Sequence, residues 1–535
     1  MRKIFHALAA AIMAAVLSAT CLGATTAQAA DYNKTVTFKG VNAGDEVYAY
    51  HVVTYDQNYN KFVFDSSFQS FVEAEKNASS ASSKTVDQYF ADLSSAERSQ
   101  LLDKYAAACS DSANTSYNWP ATPVRDTAGA DLNVKLTLDP GYYVIIATTT
   151  ADNNTIYTPT SVFVQVQDSS VTVYGGANNA VLDSYSPTVE LKHQTGPTIS
   201  KAVWGTAWSS AKTTELGKLE YFYINVTVPA YNQATRAAGV IDVPLKVTDR
   251  MTGMALDTSL SGEPVRAMDS ANGSGSEIAG AITSWNWDAA TGELTVDLDF
   301  DVVQGKTVYL CYGARTTAAA AAGNKASNTA ILDYANPITG EQKTTDAQTV
   351  NLWLFSLNLL KVDGSDAPLD GAKFTLSASN AQDATAISLV KEGDYYRPAT
   401  VVDAADVKVT EIPGNSVVKG LDATTYTLKE VATPAGYYAP NGNFTVALNA
   451  DSNGGQLNGS LASGSLTGPD SDLCRGAVVN AANNNQLDVT IANSTMPVLP
   501  STGGMGTALF TIGGVALMAV AVVAFVVIRR KGEQK

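Results

Sequence analysis

The tightest constraint on this chain is the spacing of its apolar residues. They fall in short runs alternating with polar ones, cut apart by Gly, Pro, Asn and Asp, as in Val162-Phe163-Val164-Gln165-Val166 and Leu294-Thr295-Val296-Asp297-Leu298. A period of two sends successive side chains to opposite faces of a strand, and many short strands separated by turn residues build two-layer sandwiches rather than α/β sheets. The implied fold class is all-β, as tandem sandwich domains. One stretch departs from this pattern. Across 86–108, Val86, Tyr89, Phe90 and Leu93 recur at helical intervals, and Ser94 and Glu97 form a capping box ahead of Leu101, Leu102 and Tyr105. A helical insertion in the first domain is the simplest account.

The 535 residues leave room for about three domains. Polar or Gly-rich connections near 186–197 and 340–350 divide the chain into 30–190, 191–348 and 349–496. The formal charge of −16, from 51 acidic and 35 basic side chains, argues against nucleic acid as a partner. Three histidines and four scattered cysteines, with no C-x-x-C pair, leave little for a metal site or a His-based triad. No metal and no cofactor is expected, and the chain is not expected to be an enzyme in the multiple-turnover sense. Cys109, Cys311 and Cys474 fall one to each domain, so no domain can close its own disulfide. Something else should brace these domains.

Both ends carry export signals. Arg2 and Lys3, the apolar stretch Ala7 to Leu17 and the triplet Ala27-Gln28-Ala29 make residues 1–29 a secretory signal peptide. Residues 507–528 are an uncharged run long enough to cross a bilayer, and Arg529-Arg530-Lys531 open a basic tail, 529–535, that would stay in the cytoplasm. Just outside the span stands Leu499-Pro500-Ser501-Thr502-Gly503. In its order of pentapeptide, apolar helix and basic tail this resembles the LPXTG sorting signal of Gram-positive surface proteins. The resemblance implies cleavage between Thr502 and Gly503 by a sortase and transfer of the Thr502 carbonyl to an amine, leaving the helix as a temporary tether. Localisation would be the cell wall, with peptidoglycan as a partner.

Six polar groups sit on apolar faces. Trp353, Phe355, Leu357, Leu359 and Lys361 share one parity, as do Tyr426, Leu428 and Glu430, and Leu487, Val489, Ile491 and Asn493. The preceding domain repeats the set in the same order. Ile199, Lys201 and Val203 are followed by Val243, Leu245, Val247 and Asp249, then by Ala326, Asn328, Ala330 and Leu332. Singly, a lysine can snorkel, an acid can end a strand and an asparagine can serve a turn. Two ordered sets point to shared chemistry. Burial disfavours charge on both amine and acid. A neutral lysine is a nucleophile, and a protonated acid can polarise the asparagine carbonyl and pass a proton to the departing NH₂ group. The product would be a Lys–Asn isopeptide bond, formed once per domain with loss of ammonia: Lys201 to Asn328 with Asp249 catalytic, and Lys361 to Asn493 with Glu430 catalytic. Each bond would tie the first strand of its domain to the last.

Further residues carry a family resemblance. Asn358-Leu359-Leu360-Lys361-Val362-Asp363, then Pro368-Leu369-Asp370-Gly371-Ala372-Lys373-Phe374, then Tyr426-Thr427-Leu428-Lys429-Glu430-Val431 with Pro434-Ala435-Gly436-Tyr437, looks like a CnaB-type Ig-like domain, with Glu430 in its E-box. Val226 to Tyr231, Val247-Thr248-Asp249 and Ser327-Asn328-Thr329-Ala330 resemble a fimbrial isopeptide-forming domain, and Leu138-Asp139-Pro140-Gly141-Tyr142-Tyr143 is a thinner likeness to pilin N-terminal domains. Together with the sorting signal, these imply a backbone subunit of a sortase-assembled pilus that supports adhesion. Its partners would be sortase, neighbouring pilin subunits and a host or bacterial surface ligand. The family's Tyr-Pro-Lys acceptor pattern is absent, since the chain reads Val173-Tyr174-Gly175-Gly176. Lys192, on the polar parity of Val189-Glu190-Leu191-Lys192, is the candidate intersubunit lysine. The competing reading is a singly wall-anchored adhesin that uses the same domains as a stalk and never polymerises.

Overall fold

The computed structural model describes residues 32–495, less the segments 57–60, 80, 82, 111–122, 150–153, 168–169, 177–179, 231–242, 261, 272–274, 337–341, 379–384 and 454–455, together with 506–532. The expected signal peptide, residues 1–29, and the pentapeptide Leu499 to Gly503 lie outside the described residues. Strands dominate and stack as pairs of sheets, giving three successive sandwiches.

In the first sandwich, a small sheet of Lys34–Lys39, Val134–Leu138 and Thr188–Glu190 covers one face of a larger sheet centred on Glu46–Asp56, Gly141–Thr148 and Thr160–Gln167. Val36, Phe38, Leu136, Ile145 and Val162 fill the space between. The other face of the larger sheet is also apolar, and three helices cover it: α1 (Ser66–Ala78), α2 (Val86–Asp92) and α3 (Ser95–Ser110). Phe68, Phe71, Phe90, Leu102 and Tyr105 pack there against Val52, Tyr142, Ile146 and Phe163. The expected capping box closes around Ser94, whose N–H donates to Glu97 Oε2 at 2.7 Å while Glu97 N–H donates to Ser94 Oγ at 3.3 Å. The helical region begins earlier than expected, with α1, whose buried apolar residues are only Phe68, Phe71 and Val72, beside buried Ser67 and Lys76.

Seven strands frame the core of the second sandwich: β1 (Thr198–Trp204), β2 (Ala211–Thr213), β3 (Leu219–Val228), β4 (Leu245–Thr252), β5 (Lys306–Thr316), β6 (Lys325–Ala335) and β7 (Gln348–Trp353). One sheet contains β1, β3 and β5 side by side, and the facing sheet runs β2, β7, β6, β4. Val203, Phe222, Ile224, Val247, Leu310 and Leu332 fill the core between them. In the third sandwich, β8 (Phe355–Val362) and β10 (Gln486–Ala492) lie parallel and adjacent, Lys361 opposite Ile491, while β9 (Thr425–Ala432) belongs to the facing sheet. A parallel pair needs a crossover, and here almost the whole domain is that crossover.

The junctions fall a few residues beyond the expected ones. His193–Thr195 still pairs with Thr155–Tyr157 of the first sandwich, and β7 completes the second sheet by pairing with both β6 and β2. The start expected at residue 349 therefore lies inside β7. The period-two pattern runs unbroken from Trp353 to Phe355, but Leu354 between them is buried as well: Leu354 packs in the second core and Phe355 in the third. This junction is tightly bonded. Asn324 Nδ2 donates to Ser356 Oγ at 2.8 Å and to Asn485 Oδ1 at 3.0 Å, and Leu216 N–H donates to the Gly420 carbonyl at 2.9 Å.

Beyond the sandwiches, helix α4 (Gly506–Gly532) contains a run from Phe510 to Arg530 long and apolar enough to cross a membrane, with its side chains exposed from Phe510 to Arg530.

Candidate functional site

The third sandwich brings its three expected groups together. Lys361 is the inward residue near the end of β8, Asn493 follows the last residue of the parallel strand β10, and Glu430 reaches across from β9. Lys361 Nζ donates to Asn493 Oδ1 at 2.8 Å, and Asn493 Nδ2 donates to Glu430 Oε1 at 2.8 Å. Lysine and asparagine are 0% and 1% exposed. The second carboxyl oxygen, Glu430 Oε2, is buried without a hydrogen-bond partner. Burial pulls the Lys361 amine down from its ordinary 10.5 to about 8, against the pull of Glu430 in the opposite direction. An appreciable fraction of the amine is therefore neutral near pH 7.

Room for that lysine comes from a glycine. A Cβ on Gly414 would lie 2.9 Å from Lys361 Cβ and 3.1 Å from Ala372 Cβ, so the aliphatic stem threads past bare backbone. On the same side, Lys361 N–H donates to Asn415 Oδ1 at 2.8 Å and fixes the strand end.

The second sandwich builds its cluster across the two sheets. Lys201 projects from β1, while Asp249 on β4 and Asn328 on β6 project from the facing sheet. All three are buried, with Asp249 and Asn328 at 0% exposure. Lys201 Nζ donates to Asp249 Oδ1, and burial again lowers the amine to about 8 despite that carboxylate. The acid differs from expectation in one respect. Asp249 does not reach the Asn328 amide, because Tyr312 from β5 stands between them. Its hydroxyl accepts from Lys201 Nζ at 2.6 Å and from Asn328 Nδ2 at 3.0 Å, and donates to Asp249 Oδ2 at 2.7 Å. Asn328 Oδ1 is buried without a partner. Nothing in the sequence singles out Tyr312, because it shares the inward parity of Leu310 and Ala314, where an aromatic reads as core.

Two further expectations meet the structure here. Lys361 lies on the first strand of its domain and Asn493 directly follows the last. Asn328 does not lie on the last strand of its own: β7 follows β6, so the expected first-to-last tie is corrected for the second sandwich. Lys192 is exposed between strands Thr188–Glu190 and His193–Thr195, at the edge of the first sandwich.

Residues 355–459 match the SpaA prealbumin-like fold domain, and residues 491–534 match the LPXTG cell wall anchor motif. No curated protein matches the chain. Among solved structures, the T6 backbone pilin of serotype M6 Streptococcus pyogenes, a modular three-domain protein, aligns with 88% of this chain and 100% of its own at 13% identity, with a TM-score of 0.52. The full-length major pilin SpaD from Corynebacterium diphtheriae aligns with 86% of this chain and 97% of its own at 14% identity, with a TM-score of 0.48. The chain thus has the three-domain fold of the T6 pilin, and its cell wall anchor match contains the apolar helix α4, the architecture of an LPXTG-anchored surface protein.

The Gly414 contact makes a direct prediction. Gly414→Ala should destabilise the third sandwich by about 1–3 kcal/mol, the range for overpacking a tight core. Denaturant unfolding should show that loss in the third sandwich, with the second unchanged.

Proposed function

We propose that this LPXTG-anchored, pilin-fold protein is the repeating shaft subunit of a covalently polymerised surface pilus, and that its second and third sandwiches are braced by Lys–Asn isopeptide bonds. The observation that carries the reading is the buried contact of Lys361 Nζ with Asn493 Oδ1 at 2.8 Å, with Glu430 on the other side of the amide. The neutral amine attacks Asn493 Cγ. Glu430, against Nδ2, supplies the proton with which ammonia leaves, and the proton shed by Nζ restores the acid. Folding holds the reactants in contact, so effective molarity replaces an external catalyst. The reaction runs once per domain and is not turnover.

Polymerisation uses the two ends. Sortase holds the Thr502 carbonyl as a thioester until a lysine amine of the next subunit takes it, and peptidoglycan is the last acceptor. Lys192 is the acceptor we favour, because it is exposed on the rim of the first sandwich. For adhesion, the outer face of the second sandwich offers a cavity of about 490 Å³ walled by Trp204, Trp208, Tyr221 and Leu260 with Glu263 and Arg266 at hand. Aromatic walls with a few polar groups suit a surface ligand.

The bonds would channel tension. In the third sandwich Lys361–Asn493 closes a loop of 132 positions, worth about 5 kcal/mol by analogy with disulfide loop entropy, and pulling bypasses everything inside it. In the second sandwich the chain continues from Asn328 through β7 before it leaves, so residues 329–353 remain outside the covalent path. Single-molecule stretching should extend this segment by at most about 85 Å, at roughly 3.4 Å per residue, and the third sandwich hardly at all. An unfolding step as long as a whole domain that comes from the second or third sandwich contradicts this.

Mass spectrometry of the mature protein should show two ammonia losses, with Glu430→Ala restoring one and Asp249→Ala the other. For assembly, wall extracts of the native strain should give an SDS-resistant ladder that disappears with Lys192→Arg. A single species in the native strain identifies the singly anchored adhesin instead, and a ladder that survives the substitution moves the acceptor to another lysine.

A further inference from the structure

From the contacts of its hydroxyl, we infer that Tyr312 is a catalytic residue of the second sandwich, the proton relay between the Lys201 amine and the Asn328 amide. The inference rests on the isopeptide reading above. It concerns how the second site differs from the third.

The two acids are not equivalent. Glu430 touches its amide directly. Asp249, one methylene shorter, meets the amine with Oδ1 and the Tyr312 hydroxyl with Oδ2, and does not touch the amide. A phenol fills the gap, and its valence is fully used: one proton given to Asp249 Oδ2 at 2.7 Å, one lone pair taken by Lys201 Nζ at 2.6 Å and the other by Asn328 Nδ2 at 3.0 Å. It is the one hydroxyl, among the described residues, that touches the nucleophile, the acid and the leaving group together. The ring is held in place by stacking on Phe222, with centroids 5.6 Å apart and planes 14° apart.

The reaction needs one net proton transfer, from the attacking nitrogen to the departing one. The Nζ lone pair forms a bond to Asn328 Cγ, and the carbonyl electrons move onto Oδ1. Nζ is now cationic and gives one proton to the Tyr312 oxygen, while the phenol proton turns from Asp249 Oδ2 to Nδ2, whose lone pair is free in the tetrahedral intermediate. The Oδ1 electrons return, the Cγ–Nδ2 bond breaks, and ammonia leaves. Atoms and charge balance without any co-reactant, and the phenol ends as it began. Asp249 keeps its charge and stabilises cationic Nζ in the intermediate. In the third sandwich Glu430 does both jobs and no tyrosine is needed.

The test tracks bond formation in the full chain, produced with its leader and anchor, by pulse-chase and peptide mapping of the Lys201–Asn328 and Lys361–Asn493 linkages. Tyr312→Phe keeps the stacked ring and removes only the hydroxyl. It should slow the Lys201 linkage at least tenfold while leaving the Lys361 linkage at its native rate. Native speed in the second sandwich of this variant overturns the relay. Absence of the Lys201 linkage from the unsubstituted chain instead overturns the isopeptide reading itself. A second variant separates chemistry from packing. Asp249→Glu combined with Tyr312→Phe recreates the direct acid–amide contact of the third sandwich, and it should recover most of the lost rate. If the double variant is as slow as the single one while its second sandwich resists trypsin like the native chain, the hydroxyl was not bridging the gap and the proposal falls.

Discussion

The structure turns on two lysine amines placed where water cannot reach them. A charged amine in an apolar sandwich is poorly solvated, and the downward shift of Lys201 and Lys361 to about 8 expresses that cost. Because each folded lysine holds its proton less tightly than the unfolded one, the penalty is complete below about pH 8. It fades as pH rises toward the ordinary lysine value of 10.5. At neutral pH the unreacted fold therefore carries a strain of a few kcal/mol at each site. Acylation of the amine removes the titrating group altogether. The proposed bond would thus relieve a penalty present in the folded chain as well as restrict the unfolded one.

The same three residue types are arranged by two topologies. In the third sandwich the amine is on one strand and the amide just past the end of its parallel neighbour in the same sheet, and only the acid comes from the opposite layer. In the second, the amine stands on one sheet and both acid and amide on the other. One linkage would seam a sheet along its own plane; the other would rivet two sheets through the core. In the second arrangement a tyrosine from the amine's own sheet stands between acid and amide.

Much of this could be read from parity. Lys201, Asp249, Asn328, Lys361 and Asn493 are buried where alternation put them, and Glu430 faces its amide, because a strand with one dry face has a single register that works. Parity is equally the reason that Tyr312 stayed hidden: an inward tyrosine between Leu310 and Ala314 satisfies the pattern whether its hydroxyl is idle or central. The junction at Leu354 escaped for a related reason. Alternation continues through Trp353 and Phe355, and only the burial of Leu354 shows that one strand has ended and another begun. Helix α1 has too thin an apolar stripe to announce itself among its serines and charged residues. In the first sandwich, alternation identified strands but not the helical layer's full extent, since the larger sheet is apolar on both faces.

The seam between the second and third sandwiches bears on the mechanics of the whole chain. Asn324 sits in the left-handed region at φ 50° and sends its amide into the next domain, where Ser356 and Asn485 accept it; Leu216 adds a backbone bond alongside. Bonds of this kind resist flexing as well as parting. The two sandwiches should consequently swing as a single lever arm, leaving curvature in a long filament to be taken up at other joints.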